Sequence, residues 1–137
     1  MDDSRQIENL IYRYAELIDD GNLKEVAELF RDAEIVSIVH SVRRQGFDEV
    51  LQMYRSSCRI YEPTGTPLTK HLTSNVIVEL DEDGKRANAR SYYTVMQATD
   101  SLPLQVIICG RYKDRFRRDD AQWQFASREM IVELIGD

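Results

Sequence analysis

The most constraining feature of this chain is its second half. Four runs, Lys70–Leu80, Arg86–Thr99, Gln105–Arg117 and Gln122–Leu134, are rich in Val, Ile, Tyr, Phe and Trp. Three short turns separate them: Asp81-Glu82-Asp83-Gly84, Asp100-Ser101-Leu102-Pro103 and Arg118-Asp119-Asp120-Ala121. Long β-rich runs joined by short turns pair as antiparallel hairpins, because a parallel neighbour needs a crossover of a dozen or more residues. The first half has a different period. Ile7, Leu10, Ile11, Tyr14, Leu17 and Ile18 form one helical stripe, and Ser4 or Asp3 is expected to cap it. Asp20-Gly21-Asn22 is expected to stop that helix, since Gly and Asn tolerate the left-handed conformation. A second helix is expected over Asn22–Phe30, a short strand over Ala33–Val39 and a third helix over Gly46–Ser57, where Phe47, Val50, Leu51 and Tyr54 recur at helical spacing. His40, followed by Arg43-Arg44, is expected in a surface loop. Cys58–Thr69 holds Pro63, Gly65 and Pro67 and reads as a loop that closes over the mouth of a site.

Helices first and a meander afterwards define an α+β fold: three N-terminal helices packed on one face of a curved, largely antiparallel sheet. No repeat, linker or low-complexity stretch divides the 137 residues, so one domain over 1–137 is expected.

Charge narrows the function. The chain carries 24 acidic against 18 basic residues, a formal net charge of −6, which counts against nucleic-acid and anionic-membrane binding. No apolar run reaches the roughly 18 residues of a membrane span. Two distant cysteines, Cys58 and Cys109, exclude a disulfide-rich scaffold, and with only two histidines, His40 and His71, a zinc site built from His and Cys is nearly excluded. The opening Met1-Asp2-Asp3-Ser4 is acidic and polar, unlike a signal or transit peptide, so a cytoplasmic location is expected. No phosphate loop or nucleophile-elbow pattern is present.

Acid/base chemistry near neutral pH is most readily done by histidine. His71 shares a strand face with Thr73, Asn75 and Ile77 by simple alternation, and that mixed polarity suits a pocket lining. From the residues alone, a structural histidine that ties down the start of the strand is the default reading. Arg128, in the last run, alternates with Trp123, Phe125 and Ser127; it could reach into the interior or pair with Glu129, Glu133 or Asp114 on the sheet surface. Tyr14 lies within the apolar stripe, where core packing is the default, though its phenol can donate a hydrogen bond. Tyr54, Tyr61 and Tyr93 are similar candidates.

Several segments, in order, carry a resemblance. Ile7 through Asn22, including Tyr14-Ala15-Glu16-Leu17-Ile18-Asp19-Asp20, is followed by Glu28-Leu29-Phe30. Then come Lys70-His71-Leu72-Thr73-Ser74-Asn75-Val76, Gly110-Arg111-Tyr112-Lys113-Asp114-Arg115-Phe116 and Trp123-Gln124-Phe125-Ala126-Ser127-Arg128. Together they resemble the SnoaL-like family of the nuclear-transport-factor-2-like cone fold. The likeness is to the group of scytalone dehydratase, bile-acid 7α-dehydratase and hexachlorocyclohexane dehydrochlorinase. That resemblance implies a lyase or isomerase with no metal or organic cofactor, acting on a small hydrophobic substrate, cyclic compounds included. It implies His71 as the base that removes a proton while a leaving group departs from the neighbouring carbon, with Asp19 holding it. Arg128 and Tyr14 match positions that bind substrate in relatives, and Tyr93 and Tyr54 are expected beside them. Register with the family, rather than the helical wheel, selects Asp19 over Asp20; on the wheel Asp19 falls to the flank with Tyr12 and Ala15.

Some relatives carry a second histidine or an acid where this chain reads Ser91-Tyr92-Tyr93-Thr94-Val95-Met96-Gln97. Its absence keeps a second reading open, a non-catalytic ligand-binding or assembly subunit like the β subunit of ring-hydroxylating dioxygenases. Relatives commonly associate through the open sheet, so a homodimer or homotrimer is expected.

Overall fold

The computed structural model describes residues 2–38 and 41–136. Helices α1 (Asp3–Asp19) and α2 (Leu23–Leu29) lead into strands β1 (Glu34–Ser37) and β2 (Val42–Gln45) and helix α3 (Gly46–Ser57). Four long strands follow: β3 (Thr69–Leu80), β4 (Arg86–Gln97), β5 (Gln105–Asp119) and β6 (Gln122–Ile135). All six strands form one sheet in the order β2-β1-β6-β5-β4-β3. Every pairing is antiparallel except β1 with β6. The sheet curls around the helices, giving the expected α+β cone.

Helix α1 buries Ile7, Ile11, Tyr14, Leu17 and Ile18 of the stripe expected from spacing, and its sixth member, Leu10, packs partly buried against them. Each fully buried side chain of this kind contributes about 1.5–3 kcal/mol. The cap is Asp2 rather than Asp3 or Ser4: its carboxylate accepts the Arg5 N–H at 2.8 Å. Asp3 faces the sheet instead and accepts the Trp123 indole N–H at 3.1 Å. Helix α2 is one residue shorter at each end than its pattern, because Asn22 caps it through the Glu25 N–H and Phe30 ends it.

Gly21 fixes the end of α1 in two ways. Its φ is +75°, and a Cβ there would fall 2.2 Å from the Gly65 carbonyl oxygen. The Cys58–Thr69 segment expected as a lid is therefore seated on α1. Tyr61 and Thr66 bridge within it, and the Gly65 N–H donates to the Tyr61 carbonyl at 2.7 Å.

Three local readings change. The strand expected over Ala33–Val39 covers Glu34–Ser37, and the chain returns as β2 over Val42–Gln45, for which the sequence pattern implies no element. Polar Val42-Arg43-Arg44-Gln45 has little strand character by itself; it pairs with β1 in register, and Arg43 meets Glu34 at 2.6 Å. Val39 and His40 lie outside the described residues. In β3, a bulge at Asn75, whose φ is +54°, breaks the alternation. Val76 and Val78 consequently follow His71 and Thr73 onto the inner face, and Asn75 and Ile77 do not. In β6 the register slips between Arg115 and Phe116, so Ser127 pairs with Arg115 and Phe125 with Phe116. The extra residue, Ala126, turns Arg128 to the same side as Trp123 and Phe125.

The core lies between the helices and the inner sheet face. Ala87, Ala89, Tyr93 and Val95 of β4, Tyr112 and Phe116 of β5, and Trp123 and Phe125 of β6 are buried there. Phe125 stacks on Phe30 at 4.7 Å between centroids, which ties β6 to the end of α2.

Candidate active site

Asp19 is the last residue of α1, and the edge strand β3 begins beside it. Acidic side chains are disfavoured at a helix C-terminus, and no basic residue offsets it in the last turn. Its compensation comes from β3. Asp19 Oδ1 accepts the Thr69 hydroxyl at 2.8 Å and lies 2.7 Å from Nδ1 of His71; Oδ2 accepts the His71 backbone N–H at 2.7 Å. Burial works against the charged carboxylate. The hydrogen bonds from the His71 ring and backbone, the nearby His71 charge and the Thr69 hydroxyl outweigh it and hold Asp19 below the usual carboxylate range. An ionised carboxylate only accepts hydrogen bonds. Nδ1 of His71 must therefore carry a proton, which leaves the lone pair of a neutral ring on Nε2.

The contact is shielded without being closed. The His71 side chain is 14% exposed and that of Asp19 9%. Both line a cleft of about 380 Å³ between α1 and β3, with Tyr12, Glu16, Lys70 and Thr73 around them. Asp20 also lines the cleft but is exposed and makes none of the contacts to His71, which distinguishes the two adjacent acids. Tyr12, Ala15, Glu16 and Asp19 are one flank of α1 at i, i+3, i+4 and i+7, so the helical wheel placed Asp19 correctly off the core stripe. It could not show that β3 occupies that flank. Cys58, half-buried at the end of α3, has its thiol pushed up by burial and by the charge of Asp19, which keeps it protonated.

The other four expected residues gather in the interior. Arg128 is fully buried; its Nε and Nη2 donate to the two oxygens of Asp114 at 2.7 and 2.9 Å. Its guanidinium lies 3.6 Å from the Tyr112 ring centroid and 4.3 Å from that of Tyr14. Of the two readings left open by the sequence, the structure realises parts of both: Arg128 pairs with Asp114, and it does so inside the cone. Burial opposes charge on Arg128, but Asp114 beside it overrides this and drives its pKa upward. Burial also pushes the Asp114 carboxyl up against the pull of Arg128. The two-point contact to a group that does not deprotonate keeps the pair ionic.

Tyr14 and Tyr54 share a hydrogen bond of 2.5 Å between their hydroxyls. The Tyr14 hydroxyl is also hydrogen-bonded with Tyr112 and Arg128, so the phenols and the guanidinium form one network. Tyr93 stacks on Tyr112 at 4.4 Å, and Gly110 makes room for it: a Cβ there would stand 3.0 Å from the Tyr93 hydroxyl and 2.0 Å from the Ile131 carbonyl oxygen. Burial raises the phenols of Tyr14 and Tyr54, and pushes Tyr93 up to about 12. These groups are hydrogen-bond donors at neutral pH rather than bases. Tyr61, the weaker candidate, lies in the turn seated on Gly21.

Sequence reasoning missed two residues. Thr69 falls at the end of the segment that reads as a loop, and its spacing of two before His71 is the one signal that points to it. Tyr112 went unremarked, although it alternates with Asp114 and Phe116 on one face of β5. Two buried polar atoms lack a protein partner among the described residues, Nη1 of Arg128 and Oγ of Ser91. Among those residues, no group of three or more His, Cys, Asp or Glu is placed to hold a metal, and no helix is long and apolar enough to cross a membrane.

Solved structures share this architecture. An NTF2-like protein with a cystatin-like fold from Novosphingobium aromaticivorans superposes with a TM-score of 0.79 at 22% identity, covering 95% of this chain and 81% of its own. A candidate scytalone dehydratase from the same organism gives 0.78 at 25% identity, covering 98% and 86%. The β subunit of a candidate aromatic-ring-hydroxylating dioxygenase, again from that organism, gives 0.74 at 17%, covering 96% and 90%. No curated protein sequence matches. The family model of the SnoaL-like domain matches residues 1–129, and the chain belongs to that family.

Proposed function

We propose that this chain is a cofactor-independent lyase or isomerase of the dehydratase type, with His71 as its general base. The observation that carries the reading is the Asp19 carboxylate, fixed by Thr69 and the His71 backbone and set against Nδ1 of the same histidine. Nε2 then takes a proton from a substrate carbon. The C–H electrons form the new double bond, and the leaving group departs from the adjacent carbon with its bonding pair. Where that group is hydroxide, the imidazolium returns the proton and water leaves. In an isomerisation the proton returns to a different carbon. Asp19 stabilises the imidazolium formed in between.

Arg128, Tyr14, Tyr54 and Tyr93 contribute the interior side of the site in this reading. Nη1 of Arg128, with Asp114 holding the other two nitrogens, and the hydroxyls of the Tyr14–Tyr54 pair are donors suited to a carbonyl oxygen or a departing hydroxyl. The surrounding rings favour a small hydrophobic substrate. The likeness to a candidate scytalone dehydratase at 25% identity supports the same class. Homodimers or homotrimers through the outer sheet face complete the proposal, and sedimentation velocity tests that part.

A second reading is favoured by one observation. The cleft lined by His71 includes none of Arg128, Tyr14, Tyr54 or Tyr93, and Arg128 has two of its three nitrogens committed to Asp114. A packed interior of this kind suits a binding or assembly subunit. Turnover separates the two. Hydroxylated and halogenated cyclic compounds are screened with wild type and His71→Ala. The enzyme reading expects elimination or isomerisation that falls by about 10²–10⁴-fold in the variant. Activity that survives His71→Ala removes His71 from the mechanism.

A further inference from the structure

We propose that Thr69 is the positioning residue that sets which ring nitrogen of His71 carries the proton. The inference rests on the reading of His71 as a base, and extends it to a residue outside the pair.

The Thr69 hydroxyl and Nδ1 of His71 converge on one oxygen, Asp19 Oδ1, at 2.8 and 2.7 Å. The other oxygen is held by the His71 backbone N–H. One backbone contact alone leaves a carboxylate free to rotate about its Cβ–Cγ bond, because that sp³–sp² torsion is broad. The hydroxyl supplies the second fixed point and defines the carboxylate plane. Oδ1 is thereby aimed at Nδ1, and the tautomer with the proton on Nδ1 becomes the one that loses no hydrogen bond. Without Thr69 the carboxylate can turn, and the ring can adopt the other tautomer, whose protonated Nε2 accepts nothing.

The chain delivers Thr69 through an unusual backbone. Leu68 has φ +59°, a conformation uncommon for a residue with a bulky side chain. Three hydrogen bonds hold it there. The Leu68 N–H donates to Thr66 Oγ1 at 3.3 Å, Gln97 Nε2 donates to the Pro67 carbonyl at 3.0 Å, and the Ala98 N–H donates to the Leu68 carbonyl at 3.4 Å. The end of β4 therefore pins the turn that presents Thr69 to Asp19. Such pinned, uncommon conformations persist where the surroundings over-determine them.

The test reads the tautomer directly and needs no substrate. Long-range ¹H–¹⁵N spectra of the labelled protein, recorded where the ring is neutral, contain only two imidazoles, and His71→Ala assigns them. In wild type, His71 is expected to show a protonated Nδ1 and an unprotonated Nε2. In Thr69→Val the two ring-nitrogen resonances are expected to move toward each other, as the tautomers mix. Thr69→Ser, which keeps the hydroxyl, restores the wild-type separation. The proposal is overturned if wild-type His71 carries its proton on Nε2, if Thr69→Val keeps the wild-type pattern, or if Thr69→Ser does not restore it. Should Thr69→Val not fold, Thr69→Ala against Thr69→Ser makes the same comparison. A purely structural Thr69 would alter stability and leave the tautomer unchanged. A chain with no catalytic activity could still show the expected pattern, so failure of this inference and failure of the enzyme reading are separate results.

Discussion

Arg128 and Asp114 meet through two parallel hydrogen bonds of 2.7 and 2.9 Å with neither side chain open to solvent. A buried pair of this kind is costly to break and much less costly to replace, since removing one partner strands the other charge in a low dielectric. Asp114→Ala is expected to destabilise the fold by about 3–5 kcal/mol. Asp114→Leu combined with Arg128→Met is expected to recover most of that loss. Urea unfolding of the single and double variants measures both. A double variant no more stable than Asp114→Ala would show that the pair does more than neutralise a buried charge.

The low pKa of Asp19 makes stability depend on pH in a defined window. Its ordinary value is 3.8, and the folded value lies below it. Between the two values the unfolded state binds more protons, so stability rises with pH. The contribution is fully present above the ordinary value and is lost as pH falls through the folded one. Urea midpoints of wild type and Asp19→Asn, followed downward from neutral pH, are expected to stay separated and then converge in acid. A gap that stays constant through the acid range would mean that Asp19 titrates alike in both states.

Gly21 and Gly65 touch but should respond differently to substitution. Both have positive φ, +75° and +69°. A Cβ on Gly65 meets nothing within 4 Å, whereas one on Gly21 collides with backbone. Gly65→Ala is expected to cost about 1–2 kcal/mol, the ordinary penalty of a left-handed residue. Gly21→Ala should cost more and displace the turn from α1, next to Asp19. Thermal melts rank the two, and equal losses would mean that the turn yields without resistance.

The legible part of the candidate site was its chemistry. With two histidines in the chain, His71 stood out on a strand of mixed polarity. The illegible part was phase. Arg128 was assigned to the side opposite Trp123 and Phe125 by strict alternation, yet one extra residue in β6 at Ala126 puts it on their side. Asn75 does the same in β3. Bulges carry no dependable local signal, because the sheet accepts one where the partner strand and the curvature require it. Strand β2 was missed for a related reason: Val42-Arg43-Arg44-Gln45 is held by pairing with β1 and by the Arg43–Glu34 contact, neither of which is local.

Apart from β2, the element types and their order are written in local patterns: a helical period of 3.6 in the first half, and β-rich runs with short turns in the second. Those patterns depend on neighbours a few residues away and imply an α+β fold with helices on one face of a curved sheet; the cone is what the family resemblance implies. The contacts themselves are tertiary: Asp19 meets His71, Thr69 shares its oxygen, and Arg128 faces inward against Asp114. Each of these joins residues between 14 and 52 positions apart. Distances of that kind are set by where the curled sheet brings β3 against α1 and β6 against β5, which no local pattern records.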